Sequence, residues 1–290
     1  MPVQVSPLTE ADIPGAVSAI QEAFADDPYN NWVFDKSRFS PQRNAASLGL
    51  RCQWGMRNGI FQVAKEEGSD EVLGVACWLR HQSAGQPPSW YDWFESWRLW
   101  FNQVGMNLYY GRGGLNVKNY ARRHELVWSD ALYGVPSRVG PLSRVASFKW
   151  PCQYSDLNQT SAWLSGIDSF MQAPADLIDL QRYYIWKEAQ AKAQSAVWTD
   201  PRGYYFLNIM VILPKAQNKG IGRLMMKAVT DQADAEDMNC YLESSRDVPN
   251  MQIYGRFGFK FAKELECNDD DTAINLFAMV REPHAGPQTN

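Results

Sequence analysis

Tyr205-Phe-Leu-Asn-Ile-Met-Val-Ile-Leu213, stopped by Pro214, runs through Gln217-Asn-Lys-Gly-Ile-Gly222 into Arg223-Leu-Met-Met-Lys-Ala-Val229. This is an apolar strand, a glycine loop and an amphipathic helix. A helix start leaves backbone N–H groups without intrahelical partners and carries the positive end of the helix dipole, so it is suited to hold a phosphate. Gly220 and Gly222 have no Cβ to keep a phosphate away, and Lys219 and Arg223 add positive charge at the rim. The Gly-Lys-Ser/Thr ending of a Walker loop and the third spaced glycine of a dinucleotide fingerprint are both missing, so both of those nucleotide readings lose ground. Downstream, Asn239-Cys-Tyr-Leu-Glu-Ser-Ser245 is apolar and β-prone and reads as the next parallel strand of a βαβ unit. The run Asn250-Met-Gln-Ile-Tyr254-Gly-Arg-Phe-Gly258-Phe259 follows it.

The loop Gln217-x-x-Gly220-x-Gly222 and the run from Asn250 to Phe259, in that order, resemble the GNAT superfamily of acyl-CoA-dependent N-acyltransferases. Asn275-Leu-Phe-Ala-Met-Val-Arg281 resembles the closing strand of that fold. The resemblance implies acetyl-CoA as acyl-donor cosubstrate, held by Gln217, Asn218, Lys219, Gly220, Ile221, Gly222 and Arg223. It also implies oxyanion donors on the backbone of Met210, Val211 and Ile212, where the strands splay and pantetheine inserts. Tyr254 matches a family tyrosine that protonates the departing thiolate. Asn250 matches a cofactor-contacting asparagine of some members, or it caps the helix that carries Tyr254; Asp247 stands where many members have an alternative Asp or Asn. For the general base, some members use a glutamate on the fourth strand. Here that region offers only Asn208, which cannot take a proton and could at most position a water or the substrate. Glu243 on the next strand is the nearest carboxylate, with a local hydrogen-bonding role as its other reading. His124, Glu125 and Asp130 are alternatives unsupported by spacing.

The N-terminal part fits the same frame. Val3-Gln-Val5 is a short strand, and Thr9-Glu-Ala-Asp12 opens a helix through Ile13, Val17, Ile20 and Phe24. A second helix is expected over Arg43 to Arg57. Strands over Gly59 to Ala64 and Glu71 to Leu79 follow, joined by the polar turn Lys65 to Asp70. Between these segments and the glycine loop lies an insertion, residues 81–203, holding nine of the twelve tryptophans. Such composition buries well and is the opposite of a disordered linker. Trp90, Trp93, Phe94, Trp97, Trp100, Phe101 and Val104 fall on one helical stripe, read mainly as a core face with a few residues lining an acceptor pocket. A second helix is expected from Pro174 to Ala193, with Ala175, Leu177, Ile178, Leu180, Tyr184 and Ala191 inward.

Net charge −4 and pI near 5.5 argue against nucleic acid as partner. Five scattered cysteines with no ligand spacing, and three histidines, argue against a metal site and for free thiols in a reducing, cytoplasmic setting. No apolar run is long enough to span a bilayer, so no membrane partner is expected. The expectation is an α/β fold: one GNAT-like mixed central sheet flanked by helices, formed by residues 1–80 and 204–283, interrupted by a helical aromatic-rich insertion, with a tail at 284–290. The expected function is acetyl transfer from acetyl-CoA to the amine of a small or medium, apolar or aromatic acceptor. Protein or peptide N-acetylation and a non-catalytic acyl-CoA-binding module are the alternatives. The oligomeric state is left open.

Overall fold

The computed structural model describes residues 2–34, 36–37, 39–81, 89–111 and 181–284. The described strands are β1 (Val3–Pro7), β2 (Gly59–Glu66), β3 (Val72–His81), β4 (Tyr204–Ile212), β5 (Asn239–Ser244), β6 (Lys260–Asn268) and β7 (Ala273–Arg281). They form one mixed sheet in the order β1-β2-β3-β4-β5-β7-β6. Only β4 and β5 pair in parallel; the other pairs are antiparallel. The described helices are α1 (Ile13–Ala23), α2 (Pro28–Val33), α3 (Pro41–Asn58), α4 (Trp90–Tyr110), α5 (Gln181–Val197), α6 (Ile221–Ala235) and α7 (Asn250–Gly255).

The helix starts follow from their capping residues. Thr9 donates from both Oγ1 and its backbone N–H to Asp12 Oδ2, at 2.6 and 3.1 Å, and the short turn so formed leads into α1. Asp27 accepts from the Asn30 amide at 3.0 Å to start α2, and Ser40, followed by Pro41, starts α3. Ser89 and Asp92 form a reciprocal capping box at the head of α4. One face of the sheet is covered by α6, whose Met225, Met226 and Val229 pack on Trp78, Tyr205, Leu207 and Leu242. The opposite face has two parts. Over β2 and β3, α1 and α3 bring Val17, Ile20 and Trp54 onto Val63, Val75 and Leu79. Over β5, β7 and β6, α2 and α5 bring Trp32 and Ala193 onto Tyr241, Leu276 and Leu265.

Three expectations are corrected. The aromatic stripe of α4 is not its core face: Trp90 is 85 % exposed, Phe94 57 % and Phe101 60 %. The buried face carries Glu95, Leu99, Gln103 and Met106, because Arg57 of α3 reaches Glu95 at 2.7 Å and draws that polar side inward. The inner face of α5 is likewise not the apolar set named from sequence. Tyr184 is exposed, while Ala189, Gln190, Ala193, Gln194 and Val197 point to the sheet. Ala175, Leu177, Ile178 and Leu180 lie outside the described residues. The third is β6, a strand that the sequence analysis does not name, since its residues are mostly exposed and its apolar alternation is short. Among the described residues, Cys52, Cys77, Cys240 and Cys267 are free and buried. No described helix is long and apolar enough to cross a membrane.

The start of α5 is latched to the domain by Arg182. Its guanidinium contacts Asp269, donates to Trp32 O at 2.7 Å and to Thr272 Oγ1 at 2.9 Å, and lies over the Trp32 ring. Asp269 is 5 % exposed. Burial is the largest influence on its carboxyl and would raise it, but the bonds from Arg182 and Thr272 together hold it below the usual carboxylate range. Arg182→Ala strands that carboxylate, and a loss of about 3 kcal/mol is expected in urea denaturation at neutral pH. A depressed carboxyl contributes stability above its unfolded titration point and loses it as pH falls through the folded one. The gap between wild type and Arg182→Ala should therefore narrow below about pH 4.

Candidate active site

The parallel register of β4 and β5 runs from Tyr204 opposite Asn239 to Leu207 opposite Leu242, and ends there. One residue later β4 carries a bulge. Leu207 is opposite Trp78 and Ile209 opposite Cys77, so Asn208 is an extra residue with no partner on β3. Beyond it, Met210, Val211 and Ile212 keep β3 on one edge and have no strand on the other among the described residues. On the far side of the opening, β5 continues through Glu243 and Ser244 with β7 on its outer edge. Two backbone edges thus face each other across a cleft that begins between Asn208 and Glu243.

The glycine loop borders this cleft. Gly220 sits at φ 79°, a left-handed conformation that a side chain resists, and it is the N-cap of α6 with no side-chain cap. The first-turn amides of α6 are therefore left open to an anion. A Cβ on Gly222 would come 3.1 Å from Ile212 Cδ1 and 3.7 Å from Met210 Cε, so the missing side chain is what lets the helix start lie this close to the end of β4. The Ile221 side chain is buried in the core, leaving only its backbone for a ligand. Gln217 donates to Ile212 O at 3.3 Å, bracing the loop on the strand. Asn218, at φ 61°, and Arg223 are exposed, and Lys219 is half exposed and loosely paired with Glu66 at 3.5 Å.

On the other side of the cleft, Glu243 is held by neutral donors. Its Oε2 accepts from Gln190 Nε2 at 2.7 Å; its Oε1 accepts from Tyr241 Oη at 2.7 Å and from Gln194 Nε2 at 3.4 Å. Burial is the strongest influence on the carboxyl and pushes it above its ordinary value, with these hydrogen bonds and the Lys187 charge acting in the opposite sense. Gln190, Gln194 and Lys187 are the neighbours of Glu243 that sequence reasoning misses. The available signal is a pair of glutamines one helical turn apart in an alanine-rich helix, which a count of apolar residues passes over.

Tyr254 packs partly buried against the α6-side core, its ring 6.2 Å from Phe259, and burial pushes its phenol up to about 12. Its hydroxyl has no hydrogen-bond partner among the described residues. Asn250 is the first residue of α7 while Pro249 holds the cap position, so the capping alternative for Asn250 is set aside. Its side chain donates instead to Ser244 Oγ at 3.0 Å, tying α7 to the end of β5. Asp247 is exposed and accepts from the Val248 amide at 2.6 Å. His124, Glu125 and Asp130 lie outside the described residues. Among the described residues no group of three or more His, Cys, Asp or Glu could hold a metal ion. A groove of about 640 Å³ lies beyond Ser244, between Pro28 of α2, Arg246, Asp247 and Phe277. A larger one of about 800 Å³ lies at the other end of β4, beside Arg80 and Tyr205, away from the cleft.

Comparison with known proteins finds similarity over part of the chain. Residues 179–261 match the model of the acetyltransferase (GNAT) domain. An uncharacterized N-acetyltransferase of Schizosaccharomyces pombe is 32 % identical over 84 residues, 29 % of this chain and 33 % of that one, so the match spans a third of the curated relative's length. Two solved structures are similar in outline. One is described as histone acetyltransferase HPA2 and related acetyltransferase from Corynebacterium glutamicum, 18 % identical over 99 % of both chains with a TM-score of 0.47. The other is the ribosomal-protein-S18-alanine N-acetyltransferase of Escherichia coli, 11 % identical over 100 % of this chain and 99 % of that one, with a TM-score of 0.41. The segment matched by the family model starts with α5, takes in the parted strands, the glycine loop and Tyr254, and ends early in β6; over that segment the chain is similar to a GNAT acetyltransferase domain.

Proposed function

We propose that the protein is an N-acetyltransferase that uses acetyl-CoA and delivers the acetyl group, by direct attack on the thioester, to the amine of a small or medium, apolar or aromatic acceptor. The observation that carries this reading is the parting of β4 from β5 after Leu207 and Leu242, with the uncapped head of α6 at one side of the cleft. Acetyl-CoA supplies an activated acyl carbon. The residues present fit its shape and charge: open amides and Lys219 and Arg223 for the phosphates, and free strand edges for an extended pantetheine arm.

The chain's own groups divide the chemistry. The amine forms the new C–N bond while Glu243, ionised, takes the proton it sheds. Backbone N–H groups along Met210 to Ile212 on the cleft side of β4 offer hydrogen bonds to the oxygen that gains charge. As the C–S bond breaks, the Tyr254 hydroxyl donates to the departing sulfur; a phenol raised to about 12 keeps its proton until that moment. Asn208, the extra residue of β4 where its pairing with β5 has ended, orients the acceptor or a water. Support for an aromatic acceptor comes from the surroundings of Glu243. The Tyr29 and Trp186 rings meet at 4.9 Å, tilted by 54°, on that side, with Tyr183 5.7 Å from Trp186.

Four outcomes test the reading. Gly222→Asp places a carboxylate at the phosphate cradle, where the facing Ile212 methyl is a flexible side-chain end that can yield. Calorimetry should show acetyl-CoA binding lost in a protein whose thermal melt is retained. Tyr254→Phe should keep acetyl-CoA affinity and lower turnover about a hundredfold. With an arylalkylamine such as 2-phenylethylamine as acceptor, the rate should fall as pH drops through the raised Glu243 titration, because the protonated carboxyl cannot accept. Glu243→Gln should abolish transfer and leave acetyl-CoA binding intact.

A further inference from the structure

The contacts of Gln190 fix more than a single hydrogen bond. A glutamine amide can present its oxygen or its NH2 group to a neighbour, and the rest of its surroundings decide which. Lys187 Nζ donates to Gln190 Oε1 at 2.7 Å, and an ammonium has no acceptor to offer. The amide oxygen must therefore face Lys187, and the NH2 group must face Glu243 Oε2, 2.7 Å away. Lys187 is itself steadied over the Trp186 ring at 4.8 Å. Gln190 is 3 % exposed and Gln194 is fully buried, so water cannot replace these partners cheaply.

We propose that Lys187 and Gln190 of α5 are positioning residues for the transfer reaction, a relay through which the inserted helix fixes the Glu243 carboxylate at the mouth of the cleft with its lone pairs turned to accept. The proposal rests on the reading of Glu243 as the base. Its physical content is a balance. Taking the carboxylate out of water favours its protonated form, and every donor aimed at it favours the ionised form. Lys187 acts on Glu243 both directly through its charge and through an amide that it polarises and orients. The other titratable groups around the carboxylate are Tyr241 on β5, Tyr29 on α2 and Cys267 on β6. All three are pushed up by burial and stay neutral, and Asp27 of α2 adds negative charge near Tyr29. Among the described residues Arg51 of α3 adds positive charge near Tyr29, and Lys187 is the cation that acts on Glu243 itself. With the relay intact, the donors and the Lys187 charge oppose the effect of burial and favour the ionised carboxylate that can take a proton from an amine.

The test uses the full chain labelled with 13C at the glutamate carboxyl carbon, the Glu243 signal being identified by its loss in Glu243→Gln. In wild type its titration midpoint should lie above those of the exposed glutamates. Lys187→Met removes the charge that favours the ionised form and Gln190→Met removes a donor to it, so in each the midpoint should rise further, by about one pH unit, a tenfold change in proton affinity. Lys187→Arg keeps a cation and should restore a midpoint near that of wild type. With 2-phenylethylamine as the probe acceptor, the acid limb of turnover should move by the same amount in the same variants, with acetyl-CoA affinity unchanged. A side chain of purely structural importance would lower the melting temperature without moving either midpoint. Midpoints in Lys187→Met and Gln190→Met that coincide with wild type overturn the relay while leaving Glu243 as the base. Transfer at the full rate by Glu243→Gln overturns the base reading itself.

Discussion

The extra residue in β4 at Asn208 is the constraint on which the rest of the site depends. In a regular strand, residues two apart share a face. Here Leu207 packs under α6, whereas Ile209 packs on the opposite side against the α1 and α3 layer. One residue has shifted the phase of the pleat. A bulged strand bends, and past this bend β4 follows β3 while β5 stays with β7. The sheet is continuous at the Leu207 and Leu242 level and divided below it. A division in the middle of a sheet leaves two unpaired backbone edges in the interior of the domain, where each needs a partner, and an extended amide-bearing ligand is the partner such edges suit.

Two glutamates, one buried and one half-buried, show how differently one side chain can be employed. Glu95, 2 % exposed, meets Arg57 at 2.7 Å and Arg98 at 3.4 Å, with Asn58 as a further donor, and so joins α4 to α3 through full charges. Glu243 meets two amides and a phenol, and its nearest cation stands one side chain away behind Gln190. A carboxylate clasped by guanidinium groups is a joint. A carboxylate held by neutral donors keeps its place while remaining able to exchange a proton. The difference follows from what α4 and α5 present on their inner faces.

Six of the seven described strands and the glycine loop are legible in the sequence because their signals are local. Apolar runs of strand length, glycines at a turn and a family-like run around Tyr254 need no knowledge of distant residues. The capping pairs Thr9 with Asp12 and Ser89 with Asp92 are local too. What was not legible depends on long-range partners. Glu243 could be named, but not its neighbours, since Gln190 and Gln194 are polar residues on a face expected to be apolar. The same reasoning misplaced the α4 aromatics: hydrophobicity ranks Trp90 above Glu95 for burial, and only the position of Arg57 reverses the order. The bulge at Asn208 has no signature of its own, because it is defined by the register of β3 alongside it.

His81 and Tyr204 are paired neighbours on adjacent antiparallel strands, so the chain leaves the sheet and returns to it at one rung of the same ladder. The return is secured there, with Tyr204 Oη donating to Val197 O at 3.1 Å and accepting from the Thr199 amide at 3.2 Å. The ends of the excursion are therefore held together by the sheet whatever lies between them. Loop closure becomes costlier only with the logarithm of length, about 0.6 kcal/mol for each doubling. At this rung the fold tolerates growth. Chain can be added between His81 and Tyr204 over evolutionary time at little closure cost to the sheet so long as the docked α4 and α5 are kept, which makes this rung the place where the domain is freest to acquire new surfaces without disturbing the parted strands.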